Sequence, residues 1–199
     1  AIGNARNNIN LLFYEFIKGD TADRFLNALT EKARAGVEIK LIVDAIGSFG
    51  TSDSYFDGLK AAGGKMEWFR PLGWDSWTHM DHRTHRKVMT VDGEIAFIGG
   101  AGIADQWLTG DSRGPAWRDT MFRVRGSAVA GVVSVFSENW VDSSGELLSG
   151  GNQFPAPGKP GKSTCIVVNS TPHGGSTKAR VLYQSVIDGA RQNIQIPNP

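Results

Sequence analysis

The sequence predicts an α/β fold, a mixed and largely parallel β-sheet flanked by helices on both faces, and three observations carry that expectation. Residues 9–16 and 37–43 are apolar runs without helical spacing, and between them Ala22, Phe25, Leu26, Leu29 and Ala33 recur on one helical face. Strand, helix and strand over that length make a parallel pair with a right-handed crossover. Asp92-Gly93 separates two further apolar runs, residues 88–91 and 95–98, which is the pattern of a tight antiparallel hairpin. Val129, Val132, Val133, Phe136 and Trp140 then form the apolar stripe of a later helix.

The elements follow in chain order. Asp20 or Thr21 is placed to cap the first helix, which Gly36 closes. Asp44 stands at the carboxyl end of the second strand, where ligands of such sheets collect, so the loop Gly47-Ser48-Phe49-Gly50 is a candidate binding loop or a plain connector. A short helix over residues 55–62 and a short strand over 65–69 precede an irregular aromatic segment with Trp68, Phe69, Trp74 and Trp77 around Pro71 and Gly73. Such rings either wall a pocket, rest at a lipid headgroup boundary or cover a core edge. A helical turn at residues 103–108, a polar loop, and a strand over 121–124 lead to the helix that Ser127 is placed to cap. Ser, Gly, Pro and Lys dominate residues 149–163, a linker between a first lobe at 1–148 and a truncated second lobe at 164–199. That second part should open with a strand at 165–168, a helix with the stripe Ala179, Leu182, Tyr183, Val186, Ile187 and Ala190, and another strand starting at 193–196.

Composition bounds the function classes. The 199 residues are 40% hydrophobic and 21% charged with net charge +1, an ordinary globular balance without the broad basic field that nucleic-acid partners select. Cys165 is the single cysteine and forms no intrachain disulfide. No stretch approaches 18 apolar residues and no charged-then-apolar leader opens the chain, so neither a membrane span nor a signal peptide is expected within it.

The chemistry concentrates between residues 84 and 102. His85 and Lys87 lie two apart in a strand pattern, so both project to one side. A nucleophilic imidazole beside a fixed positive charge suits attack on a phosphate ester: the ring takes the phosphoryl group covalently and the ammonium stabilises the non-bridging oxygens. This needs no metal or other cofactor. Gly99 and Gly100 let a substrate approach the backbone closely, and Asp92, before Gly93, is the structural member of the set, because hairpin turns favour Asp there. His79, His82 and His85 invite a zinc reading, but their spacing in an extended segment alternates faces and no nearby Cys or carboxylate pair completes a shell. Asp81, His82 and Arg83 line the mouth of the pocket or pack against it.

On these residues the chain resembles the phospholipase D superfamily, whose signature is His-x-Lys, four residues, Asp, six residues, then Gly-Gly or Gly-Ser, x, Asn. Here it reads His85, Lys87, Asp92, Gly99 and Gly100, with Gly102 where the family usually has Asn. The first three positions arise by chance in roughly one chain in a hundred of this length, and the two glycines lower that about two hundredfold, so the match is specific. In the cardiolipin-synthase-like branch a Trp-Arg-Asp-Thr element follows, found here as Trp117 to Thr120. The resemblance implies that Asp119 holds the far nitrogen of the catalytic His; an ion pair with Arg118 or Arg123 is the alternative. It further implies a phospholipid substrate at a membrane surface, phosphatidyl transfer or hydrolysis through a phosphohistidine, and a membrane-associated or cytoplasmic bacterial enzyme. A nuclease of the same chemistry and an inactive phosphate- or lipid-binding module are the other readings.

Residues 5–11 (Ala-Arg-Asn-Asn-Ile-Asn-Leu) recur as residues 190–196 (Ala-Arg-Gln-Asn-Ile-Gln-Ile), and Ile2 matches Ile187 at the same offset. This is the mark of a duplicated domain. The expected architecture is two lobes, the second supplying another His-x-Lys motif as partner of the first, from the same protein or a second chain.

Overall fold

Through the α3 stripe each apolar run becomes a strand and each stripe a helix, in a computed structural model that describes residues 1–71, 83–110, 114–156, 158, 161–170 and 177–196. In chain order these are β1 (Asn8–Phe13), α1 (Asp20–Arg34), β2 (Glu38–Asp44), α2 (Asp57–Ala61) and β3 (Lys65–Phe69). There follow β4 (Lys87–Val91), β5 (Ile95–Ile98), β6 (Phe122–Arg125), α3 (Ala128–Ser144) and α4 (Lys178–Gly189). Short 3₁₀ turns at Ile2–Asn4, Asp53–Phe56 and Asp105–Trp107 complete the set. The 55–62 helix is thus a 3₁₀ turn running into α2.

The strands form one six-stranded sheet in the order β3-β2-β1-β4-β5-β6. β1, β2 and β3 run parallel, whereas β4 is antiparallel to β1 and starts an antiparallel meander through β5 to β6. The sheet is mixed as expected, with a smaller parallel share than the fold class suggests. Strand alternation divides its faces. Ile9, Leu11, Phe13, Ile39, Leu41 and Val43 join Ala22, Leu29 and Ala33 of α1 in one buried cluster. On the other face α3 buries Val129, Val132, Val133, Phe136 and Trp140.

That second face is partly polar. Lys40 is 2% exposed; it pairs with Glu38, lies 3.7 Å from Glu146 and sits 5.8 Å over the Trp140 ring. A buried ammonium is tolerable only with such partners. Asn10 Nδ2 donates to Thr90 Oγ1 (3.2 Å) and Gln153 Oε1 (2.9 Å), and Gln153 Nε2 donates to Glu38 Oε2 (2.9 Å). Gln153 is buried, and Asn8 Nδ2 donates to the Asn152 carbonyl. These residues fall within the stretch read as linker, which to that extent is corrected: polar side chains, invisible to a hydrophobic pattern, fasten it to the sheet.

Two caps also differ from expectation. No side-chain cap comes from Asp20, Thr21 or Ser127. Instead the Asp105 carboxylate accepts the amides of Asp20 (3.2 Å) and Thr21 (2.7 Å) from across the fold. An acceptor so distant in sequence leaves no local capping signature.

The chain divides into two compact units, Ala1–Ser163 and Thr164–Pro199. In the second, α4 carries the expected stripe, with Tyr183, Val186 and Ile187 exposed. Residues 165–168 and 193–196 are not in strands, which corrects both expectations: among the described residues, neither has a neighbouring strand to complete a ladder.

Candidate active site

The site lies where β1 and β2 end and β4 begins. The β1–β4 ladder pairs Phe13 with Lys87 and is carried one step further by the Tyr14 N–H donating to the Arg86 carbonyl (3.1 Å). Asp44, fully buried at the end of β2, accepts the amides of Ile46 (2.9 Å), Gly47 (3.1 Å) and Thr84 (3.3 Å). One carboxylate therefore shapes the loop after β2 and anchors the strand that presents His85. Ser48 ties the same loop to β1, its hydroxyl donating to the Tyr14 carbonyl and accepting the Phe16 amide. The candidate loop at residues 47–50 thus serves as a buttress, with Phe49 left 79% exposed.

His85 is exposed while Lys87 is 3% exposed. The Lys87 Nζ lies 3.0 Å from Nδ1 and 3.2 Å from Nε2 of the imidazole and donates to the His85 carbonyl at 3.1 Å. Tyr14 backs both groups, its ring 4.6 Å from the imidazole and 5.0 Å below the ammonium. Burial, then the Lys87 charge, hold His85 below the ordinary imidazole value, against Glu15 and Asp44, which push it up. The ring is therefore biased toward the neutral form whose lone pair can attack. Burial lowers Lys87 too, opposed by Glu15, Asp119 and Asp44. A poorly hydrated cation acts more strongly on an incoming anion than one in bulk water.

Gly99 and Gly100 leave β5 beside this pair, the Gly99 amide donating to the Lys87 carbonyl (3.4 Å). Asp119 pins the turn, accepting the amides of Gly100 (3.1 Å) and Thr120 (2.6 Å). A side chain at Gly100 would collide with that carboxylate. Among the described residues, the hydrogen bonds of the Asp119 carboxylate go to this turn. The chain then returns to β1, where Ile103 bridges to Phe16.

Asp92 lies apart from the site. It sits at the opposite end of β4, in the left-handed conformation with Gly93 (φ 54° and 62°), as a two-residue hairpin turn demands. Its carboxylate accepts the amides of Arg6, Asn7 and Asn8 between 2.7 and 3.1 Å. The carboxylate thus ties the hairpin to the segment that leads into β1. Arg83 donates to the Arg70 carbonyl (2.7 Å) and lies 4.0 Å from Asp44. Trp74, Trp77, His79, Asp81 and His82 lie outside the described residues. Among the described residues no cluster of three or more His, Cys, Asp or Glu is arranged to hold a metal ion.

Sequence reasoning missed Tyr14 and Glu15. The available signal was a carboxylate, Glu15, interrupting the apolar run before Phe16.

Comparison with known proteins places this geometry. The chain matches the family model described as cardiolipin synthase, PLD-like domain, over residues 1–112. Over its whole length it is 30% identical to a cardiolipin synthase of Listeria monocytogenes serotype 4a and 31% identical to one of Alkalihalophilus pseudofirmus, covering 42% and 40% of those proteins. It therefore spans about two fifths of the length of these curated relatives. In fold it is similar to the phospholipase D family member Nuc from Salmonella typhimurium (TM-score 0.54, 16% identity, 72% of this chain and 84% of that one). NucT from Helicobacter pylori is similar at TM-score 0.52 and 16% identity, over 71% of this chain and 84% of that one. The chain belongs to the cardiolipin synthase PLD-like domain family, a branch of the phospholipase D proteins.

Proposed function

We propose that this chain is the first lobe of a phosphatidyl-transferring or phosphodiester-cleaving enzyme of phospholipids, working through a covalent phosphohistidine on His85. The observation that carries the reading is the exposed imidazole with a buried ammonium 3.0 Å away, at the mouth of a glycine turn. An imidazole nitrogen forms a bond to phosphorus, and the bond from phosphorus to the leaving alcohol breaks. Lys87 is placed to stabilise the charge gathering on the non-bridging oxygens, and the side-chain-free Gly99-Gly100 turn leaves room for the phosphoryl group to approach. The departing alkoxide takes a proton from a second His-x-Lys motif, which the expected second lobe supplies. Water or an alcohol, giving up its proton to the same group, then attacks phosphorus and breaks the phosphorus–nitrogen bond, freeing His85. A site of this kind at a membrane surface fits the exposed Phe49, Leu108, Trp117, Met121 and Phe122. Among the described residues, no helix is long and apolar enough to cross a membrane.

The test is to quench the full-length protein with phospholipid labelled at phosphorus and map the adduct. Acid-labile, alkali-stable label on His85 is expected with phosphatidylglycerol vesicles. Label that appears only with DNA, with binding that falls steeply as salt rises, points to the nuclease reading instead.

A further inference from the structure

Glu15 is the carboxylate whose place in the fold the motif does not explain. It stands one residue beyond the Tyr14–Arg86 hydrogen bond, level with His85 along the paired strands. Its backbone is locked, its carbonyl accepting the Ile103 amide at 2.9 Å while the Ile17 amide donates to the Ile103 carbonyl at 2.9 Å. Its carboxylate is held as well: Trp107 Nε1 donates to Oε2 at 2.8 Å, and Gln106 Nε2 lies 3.4 Å from each oxygen. Gly102 packs against it so closely that a Cβ there would come within 2.6 Å of Oε2 and 2.7 Å of the Glu15 Cβ. The absent side chain at residue 102 is thus the space that Glu15 fills.

We infer that Glu15, anchored level with His85 along the paired strands, is a positioning residue of the phosphoryl site that balances the charge that Lys87 places beside the ring. This rests on the reading of His85 as the nucleophile. The charged and titratable groups around the ring are Lys87 from β4, Tyr14 and Glu15 beyond β1, and Asp44 at the end of β2. Asp44 is already engaged by three amides, and Asp119 acts on Lys87 while it holds the glycine turn. Glu15 therefore opposes the joint pull of burial and Lys87, and keeps the imidazole able to gain a proton as well as attack. Without it the ring would charge only at lower pH.

The experiment is a histidine-selective NMR titration of the full-length protein, with His85→Asn for assignment, beside the pH profile of kcat/KM. Removing a negative charge favours the neutral ring, so Glu15→Gln should lower the His85 midpoint by roughly 0.5 pH unit or more and move the acid limb of kcat/KM the same way. Gly102→Ala, which displaces the carboxylate without altering any charge, should shift the midpoint in the same direction, and Glu15→Asp should restore part of it. Asp119→Asn should move it less. A midpoint unmoved by Glu15→Gln, or moved further by Asp119→Asn, overturns the inference. The titration needs no turnover: a midpoint that shifts as expected on a His85 that never carries phosphate supports Glu15 as its charge partner and overturns the nucleophile reading alone.

Discussion

The two ends of β4 hold the two halves of one sequence motif and do opposite things with polarity. At the far end, Asp92 accepts three backbone amides and Asn10, Gln153, Glu38 and Lys40 form a chain of paired groups. Polar atoms there are matched, which is how a fold tolerates them inside. At the near end, an ammonium is buried against an imidazole, a phenol ring and a carbonyl, with carboxylates acting on it at a distance. Its burial outweighs the carboxylates that act on it, so the charge is only partly compensated, which on the proposed reading suits an anionic substrate. One short motif therefore supplies both a reactive pair and a structural clasp, and spacing in the sequence does not tell them apart.

Substitutions sharpen that contrast. His85→Asn should reduce turnover by roughly 10⁴-fold or more and abolish the labelled adduct. The melting temperature should hardly change, because the ring is exposed; a large thermal loss would mean that the near end is structural too. Lys87→Met is expected to lower kcat by about 10²- to 10³-fold. Removing the positive charge also raises the His85 pKa, so the acid limb of kcat/KM should move to higher pH, the reverse of the Glu15→Gln effect.

Asp92→Ala tests the far end. It orphans the amides of residues 6–8 and should lower stability by about 1–3 kcal/mol in denaturant unfolding, while kcat per folded molecule is retained. A selective collapse of kcat would return Asp92 to the site. The smallest effect is expected at the surface pair of Lys65 and Glu146, 2.7 Å apart, where Lys65→Gln, which leaves Glu146 beside the buried Lys40, should lower stability by less than about 1 kcal/mol. The Lys65 hydrogen bond depresses the Glu146 pKa, so this contribution is full above the unfolded carboxylate value and fades as pH falls through the folded one. The partner Lys65 is raised, mainly by the same bond, and its share fades only as pH rises through its folded value. Urea unfolding at several pH values measures both.

Much of the fold was legible because apolar periodicity is local. The β1–α1–β2 unit, the Asp92-Gly93 hairpin and the α3 stripe could each be read from a dozen residues, and so could the His85–Lys87 pair, which strand alternation places together. Features resting on partners far apart in the chain were not legible. The α1 cap comes from Asp105, and the supposed linker is held by Asn8 and Asn10. Asp119 illustrates the same limit, because a resemblance supplies a role and only packing reveals which amides its oxygens face.

Local order in the chain was enough to settle the strand and helix periods, the hairpin and the placing of His85 beside Lys87, since each depends on neighbours within a few residues. Tertiary structure alone decided which carboxylates act on the imidazole and which one clasps the N-terminal strand. Hydrogen bonds and charges act through space, and folding brings residues 15, 44 and 119 to act on Lys87 although as many as 72 positions separate them from it in the chain.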